Sequence, residues 1–180
     1  MFIMTILVPL FMALLSAVSA NNAVVVNNCG YDLWAWTIDA DHRTPAPYII
    51  NRQSIHYDEI RVPSSGGVSI KLSTTNTGSP MRPVTQLEYT VDVVGNRIWY
   101  DISFVDCATG PASGGANCPV WKDGLSVVCA SGNCRKFTCP ASQECPSQVY
   151  YDSKATAAPE QPNSNVAGTG GDIRYTLCGA

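Results

Sequence analysis

The chain has 180 residues, a formal net charge of −3 and only 14% charged residues. This balance argues against nucleic-acid binding, which needs a basic surface facing the phosphates. It is typical of one compact domain rather than a charged tail. No cofactor is predicted, because the glycine-rich segments lack the lysine and the helix of a phosphate loop.

The first predicted element is a cleaved signal peptide over residues 1–20. Residues 2–15 are almost uninterrupted apolar sequence, and residues 18–20 (Val-Ser-Ala) supply the small side chains at which a signal peptidase cuts. The apolar run is short for a membrane-spanning helix, although an uncleaved anchor is the alternative. We therefore expect residues 21–180 to form one secreted domain outside the membrane.

Short strands are predicted along the next fifty residues. In residues 23–37, two β-branched and aromatic runs are broken at Asn28-Cys29-Gly30, a pattern that predicts a strand, a turn and a strand. Residues 43–48 are interpreted as a proline-interrupted loop, and residues 54–62 and 67–73 as strands. No window in this part shows helical periodicity.

Residues 86–103 predict a β-hairpin, because apolar and polar residues alternate from 87 to 92 before a Gly-Asn turn. If the turn is a two-residue loop, Glu88 faces Ser103 and Asp101 lies diagonal to it. If the loop has four residues, Glu88 faces Asp101 directly. Both registers place the two carboxylates on the same face of the hairpin.

From residue 107 to about 171 the chain is predicted to form a cysteine-rich, loop-rich lobe, and residues 173–177 then return as a last strand. An even number of cysteines behind a signal peptide indicates disulfides. The cysteines are Cys29, Cys107, Cys118, Cys129, Cys134, Cys139, Cys145 and Cys178. Zinc is the alternative, but no Cys-x-x-Cys pair occurs and neither histidine is near the cluster, so no metal is predicted.

Blocks at both ends and in the middle of the chain resemble the thaumatin and osmotin family. Residues 25–34 resemble its opening Val-x-Asn-x-Cys-x-Tyr-x-x-Trp pattern. Residues 87–90 and 100–106 resemble its Leu-x-Glu-Phe strand and the Asp-Ile-Ser-x-x-Asp segment that follows. Residues 173–178 resemble its last strand and cysteine. The short chain is most similar to fungal secreted thaumatin-like proteins, including the Blastomyces yeast-phase-specific, or antigenic thaumatin, group.

The resemblance implies an all-β fold, a thaumatin-like antiparallel β-sandwich of about ten strands with a disulfide-rich loop lobe. Residues 21–106 and the last strand would form the sheets, with the lobe packed on one side. In the family the first and last cysteines pair, which implies a Cys29–Cys178 bridge. Closing so long a loop contributes about 4–5 kcal/mol in the chain-entropy model. Local bridges are expected among the cysteines of residues 107–145.

The resemblance also implies an acidic cleft. Glu88, Asp101 and Asp106 match the family's cleft acids, Lys71 stands nearest to the family's cleft arginine, and Asp123 is the candidate for its last aspartate. Two carboxylates on one sheet face raise each other's pKa, and at a suitable separation they perform acid and base roles in glycoside hydrolysis. Lysine lacks the planar fork of arginine, so the cleft is expected to differ from that of the family.

The function implied is binding of cell-wall polysaccharide, specifically β-1,3-glucan, by an extracellular or wall-associated monomer with little or no catalytic activity. At most two aromatic residues are expected to stack on sugar rings, and the candidates are Trp34, Trp36, Trp99, Tyr100, Tyr150 and Tyr151. One alternative is a weak endo-β-1,3-glucanase with Glu88 as acid and Asp101 as base. Another is a secreted effector or inhibitor that acts on a protein partner.

A purely structural interpretation of the same carboxylates is the alternative. Glu88 and Asp101 can be read as solvent-facing strand residues beside Arg97 and Lys71, and Asp106 as the cap of a turn. A nucleophilic triad is not predicted, because the two histidines, at 42 and 56, accompany no nucleophile motif.

Overall fold

The computed structural model describes residues 21–43, 45–95, 97–130, 135–153, 163–164 and 171–179. The predicted signal peptide, residues 1–20, lies outside these ranges and stays a prediction. No helix within the described ranges is both long and apolar enough to cross a membrane.

The regular secondary structure of the described residues is almost entirely β-strand, which confirms the all-β prediction. One short 3-10 turn, Gly115–Asn117, is the exception among them. The strands are β1 (Asn22–Asn27), β2 (Leu33–Ile38), β3 (Tyr48–Ile50), β4 (Ser54–Glu59), β5 (Val68–Ser73), β6 (Thr85–Asp92), β7 (Arg97–Ser103), β8 (Leu125–Cys129), β9 (Phe137–Cys139), β10 (Asn163–Ser164) and β11 (Ile173–Leu177).

The strands form two sheets that pack as a sandwich. One sheet has the order β4-β1-β11-β8-β9 and the other the order β10-β7-β6-β5-β2-β3. Neighbouring strands are antiparallel except β1 and β11, which run parallel. The sandwich is therefore mixed at this pair. Because Asn27 and Leu177 end the two parallel strands side by side, Cys29 and Cys178 follow at the same edge and form a disulfide.

The alternation of inward-facing and outward-facing residues along each strand explains which side chains form the core. In β6, Leu87, Tyr89 and Val91 are buried against apolar residues of the opposite sheet, while the intervening side chains point away from the core. Tyr175 of β11 crosses the core, and its hydroxyl donates a 2.6 Å hydrogen bond to the backbone oxygen of Glu88. Packing between the sheets thus fixes the position of β6, the strand that carries Glu88.

The cysteine-rich region enters the sandwich more deeply than expected. Strands β8 and β9 both come from it, and β8 lies inside the five-stranded sheet between β11 and β9. The expectation of a lobe packed only beside the sheets was wrong there. The reason is local alternation, since Leu125 and Val127 are buried in the core. The short edge strand β3 was also missed, at the end of a segment interpreted as a loop.

The structure describes three complete disulfides. Besides Cys29–Cys178, which is the pair the family resemblance implies, two short-range bridges join cysteines of the cysteine-rich region: Cys107 to Cys118 and Cys139 to Cys145. Cys129 is also disulfide-bonded. Cys134 lies outside the described residues.

The hairpin register resolves the alternative left open by the sequence. Asp92, the last residue of β6, pairs with Arg97, the first residue of β7. In this register Glu88 lies directly opposite Asp101.

Candidate functional site

The outer face of the six-stranded sheet carries a band of polar side chains. One row across the sheet contains Ser69, Glu88 and Asp101, on β5, β6 and β7. These positions alternate with core residues along each strand, so their side chains point away from the sandwich interior. We call Glu88 and Asp101 the acidic pair.

A second row lies two residues further along the strands. Lys71, Gln86 and Ser103 occupy it, and the Gln86 side chain accepts a hydrogen bond from Ser69 at 3.3 Å and donates one to Ser103 at 3.2 Å. This amide therefore joins the two rows and orders the hydroxyl groups beside Glu88.

The acidic pair is partly buried, and its two residues lie directly opposite each other on neighbouring strands. Burial, together with the charge and hydrogen bond of Glu88, raises the pKa of Asp101 to about 8. Burial also raises the pKa of Glu88, while Lys71 and the hydroxyls of Ser69 and Ser103 oppose that rise. The pair therefore retains a proton near neutral pH.

One oxygen of the pair has no partner. Asp101 Oδ1 is buried and makes no hydrogen bond within the described part of the chain. A buried oxygen without a donor disfavours the ionised carboxylate, so its isolation agrees with the raised pKa of Asp101.

Two cations meet one carboxylate at the end of the second row. Lys71 Nζ lies 2.7 Å from Asp106 Oδ2, and an Arg82 terminal nitrogen lies 2.8 Å from Asp106 Oδ1. Partial burial acts to raise the pKa of Asp106, but the hydrogen bonds and charges of Lys71 and Arg82 outweigh it and lower the pKa. We call Lys71, Asp106 and Arg82 the ion trio.

The acidic pair and the ion trio each border a concave part of the protein surface. Glu88, Thr90, Trp99 and Asp101 line a pocket of about 290 Å³ together with part of Tyr89. A groove of about 430 Å³ lies over the ion trio, and its lining includes Arg82, Pro83, Asp106, Cys107, Ala108 and Asn117. The acidic pair and the ion trio are linked by Lys71, whose charge acts on both Glu88 and Asp106.

The structure brings together four of the five residues expected in the cleft: Lys71, Glu88, Asp101 and Asp106. The fifth, Asp123, instead accepts a 2.6 Å hydrogen bond from the hydroxyl of Tyr31, which lies 3.8 Å from the sulfur of Cys178. Asp123 thus supports the strand ends near the long disulfide, and its hydrogen bond does not involve the acidic pair.

Sequence reasoning missed Arg82, Ser69, Gln86 and Ser103. The last two follow from the hairpin pattern, because they occupy the outward positions next to Glu88 and Asp101. Arg82 lies in the loop before β6, where no periodicity indicates a direction, so only the folded chain shows its contact with Asp106.

Among the aromatic residues named as sugar-stacking candidates, Trp99 is the one that lines the acidic pocket. Trp36, Tyr100 and Tyr151 are buried. Trp36 lies beside Lys71 in the strand register, and its indole nitrogen finds no hydrogen-bond partner within the described residues. Trp99 is therefore the aromatic face available to a ligand in this pocket.

The described residues also differ from the arrangements that bind metal ions. Within the described ranges, no group of three or more histidine, cysteine, aspartate or glutamate side chains is arranged to bind a metal ion.

The comparison with protein families decides the classification. The family model described as Blastomyces yeast-phase-specific protein matches residues 10–179. The chain belongs to this family. It is a short thaumatin-like protein, as the motifs at its two ends and in its central hairpin predicted.

Curated relatives of this family member have similar lengths. The chain is 26% identical over 161 residues to the "Secreted thaumatin-like protein calA" of Emericella nidulans, covering 88% of this chain and 81% of that protein. It is 27% identical over 165 residues to the "Antigenic thaumatin-like protein" of Arthroderma benhamiae, covering 89% and 76% respectively.

Solved structures confirm the thaumatin-like fold of this family member. The protein elicitor MoHrip2 from Magnaporthe oryzae superimposes with a TM-score of 0.59 at 16% identity, covering 88% of this chain and 99% of that chain. The thaumatin-like xylanase inhibitor TLXI gives a TM-score of 0.52 at 13% identity, covering 86% and 97%. At these identities the likeness concerns the fold alone.

Proposed function

We propose that the protein is a secreted, non-catalytic binder of cell-wall β-1,3-glucan, and that the acidic pair with Trp99 forms the binding site. The observation that carries this proposal is the pocket that Glu88 and Asp101 line together with Trp99. A sugar unit offers hydroxyl donors for such a carboxylate and an apolar face for the indole ring.

Secretion is supported by three independent features. Residues 1–20 have the pattern of a signal peptide. Three described disulfides suit an oxidising compartment. One relative is named a secreted protein. Mass spectrometry of the protein from culture medium should give an N-terminus at Asn21, and a retained residue 1 would contradict the cleavage.

Hydrolysis is the activity that a non-catalytic binder should lack. Retaining glycosidases need about 5 Å between their carboxyl groups, and inverting enzymes need more. Glu88 and Asp101 face each other on neighbouring strands. We expect no reducing ends to be released from laminarin, and a release that Glu88→Gln abolishes would contradict the non-catalytic proposal.

Co-sedimentation with insoluble β-1,3-glucan tests the proposal, with chitin and cellulose as comparison polymers. The variant Glu88→Gln/Asp101→Asn should lose at least about tenfold in affinity, because amides replace carboxylate acceptors. The control Glu59→Gln/Asp32→Asn alters two exposed acids elsewhere and should bind like the wild type. Equal binding by both variants would contradict a role for the acidic pair.

A second candidate function is action on a protein partner, as inhibitor or elicitor. It is favoured by the tip of the β6–β7 hairpin, where the side chains of Val93 and Val94 are 68% and 100% exposed. Asp92 stiffens the turn by accepting a 2.8 Å hydrogen bond from the backbone of Gly95. A rigid tip with two apolar side chains is suited to enter a partner's pocket.

Inhibition assays against secreted xylanases, with and without Val93→Ser/Val94→Ser, separate this candidate from glucan binding. Inhibition that the double variant loses would favour a protein partner reached through the hairpin tip. Absence of inhibition, together with selective glucan binding, would favour the first proposal.

A further inference from the structure

A second pocket lies where the edges of the two sheets meet, away from the acidic pair. It has a volume of about 300 Å³. Its lining includes His42, Tyr48, His56, Tyr57, Asp58 and Arg61. We call it the edge pocket, because β3 and β4 are the edge strands of their sheets. Both histidines of the chain line it, although no motif in the sequence assigned them a role.

A buried carboxylate orients two of the pocket's polar groups. The Asp39 side chain is only 1% exposed, and it lies 3.0 Å from His42 Nδ1 and 2.8 Å from Arg61 Nε. Two backbone amides, those of Asp41 and His42, also donate to it at 2.8 Å. Asp39 thus fixes both side chains through one nitrogen each.

The fixed nitrogens leave other atoms of the same side chains for a ligand. The terminal nitrogens of Arg61 make no hydrogen bond in the described ranges of the chain, and they form the planar fork that binds a carboxylate through two parallel bonds. The second ring nitrogen of His42 also remains for the pocket, since Nδ1 is directed at Asp39.

The opposite wall of the edge pocket supplies hydrogen-bond acceptors and aromatic rings. Thr37 donates its hydroxyl proton to Asp58 at 2.6 Å, so Tyr48 must donate in its 2.8 Å contact with Thr37. This chain fixes the Asp58 carboxylate while leaving lone pairs for a ligand. The Tyr48 and His56 rings stack at 4.6 Å within this wall.

We propose that the edge pocket binds an acidic sugar, a uronate unit, as a second ligand site of the protein. The carboxylate of the uronate pairs with the fork of Arg61, its hydroxyls bond to Asp58 and His42, and its apolar face packs against the stacked rings of Tyr48 and His56. A phosphate dianion fits less well, because it would place a second negative charge near Asp58 and has no hydroxyl set to offer.

Titration of the ¹⁵N-labelled protein with sodium D-glucuronate, followed by backbone NMR, tests the assignment, with D-glucose and inorganic phosphate as comparison ligands. Saturable shifts around the edge pocket are expected for glucuronate, with affinity at least about tenfold higher than for glucose. Equal affinity for glucose, stronger binding of phosphate, or no saturable shift would overturn the proposal.

Variants locate the site. Arg61→Gln should lose at least about tenfold in glucuronate affinity and Arg61→Lys should lose part of it, since lysine keeps the charge without the fork. Arg52→Gln, an exposed arginine on the turn between β3 and β4, serves as the control and should bind normally. Unchanged affinity in a folded Arg61→Gln would overturn the proposal.

One further variant separates this site from the glucan site. Glu88→Gln lies on the other face of the six-stranded sheet and should leave glucuronate affinity unchanged. A parallel loss of glucuronate and glucan binding in Glu88→Gln would overturn the proposal of two independent sites.

Discussion

Asp101 and Asp106 lie five residues apart in the sequence, on the same side of the molecule, and their carboxyl groups respond to the fold in opposite directions. Both are partly buried, which by itself favours the neutral acid. Asp101 faces another carboxylate, and its pKa rises to about 8. Asp106 faces Lys71 and Arg82, and its pKa falls below the usual range.

The difference shows that the partner, rather than the depth of burial, decides the charge on this surface. The acidic pair retains a proton and lines a pocket, so its carboxyl groups can exchange hydrogen bonds with a ligand. The ion trio already satisfies its charges internally. We therefore assign ligand binding to the acidic pair and a structural role to the ion trio.

The largest expected effect is on the ion trio. Asp106→Asn leaves Lys71, a side chain only 19% exposed, without its close counter-charge, and should lower the free energy of unfolding by on the order of 2 kcal/mol at pH 7. The folded pKa of Asp106 is depressed, so its contribution is present above about pH 4 and is lost as pH falls further. Denaturant unfolding at pH 7 and pH 3 measures this, and an equal deficit at both values would contradict it.

Asp101→Asn should instead raise the free energy of unfolding. The folded pKa of Asp101 is raised, so the wild-type contribution is present below about pH 4 and is lost as pH rises through about 8. The amide removes the cost of ionising a buried acid beside Glu88. The variant should gain on the order of 1–2 kcal/mol over the wild type at pH 8 and little at pH 4. Destabilisation at pH 8 in denaturant unfolding would refute the shared-proton description.

The smallest expected effect belongs to the outer member of the ion trio. Arg82 is 70% exposed, so solvent screens its ion pair with Asp106. Arg82→Gln should change the free energy of unfolding by no more than about 0.5 kcal/mol, and less in high salt. A loss as large as that of Asp106→Asn would show that Arg82, rather than Lys71, stabilises the trio.

Much of the fold was accessible from the sequence where alternation was strong. The hairpin of β6 and β7 followed from residues 86–103, although the loop length, and with it the facing of Glu88 and Asp101, required the structure. The sheet order could not be deduced, because it depends on pairings distant in sequence, such as β1 with β11. Strand β8 was hidden inside a segment whose cysteines and glycines indicated loop.

The sequence predicted those members of the candidate site that lie on regular strands. Lys71, Glu88 and Asp101 lie on strands whose alternation indicates which face they occupy. Arg82 and Arg61 lie outside the strands, so nothing local predicted their partners Asp106 and Asp39. Asp123 was placed by analogy alone, and its hydrogen bond to Tyr31 gives it a different setting.

The most direct test of the central claim is an NMR titration of the Asp101 side-chain carboxyl carbon, with and without a soluble β-1,3-glucan oligosaccharide. We predict an apparent pKa near 8 in the free protein and a displaced carboxyl signal when the oligosaccharide is added. An ordinary acid pKa near 4, or a signal that the oligosaccharide leaves unchanged, would contradict the assignment of glucan binding to the acidic pair.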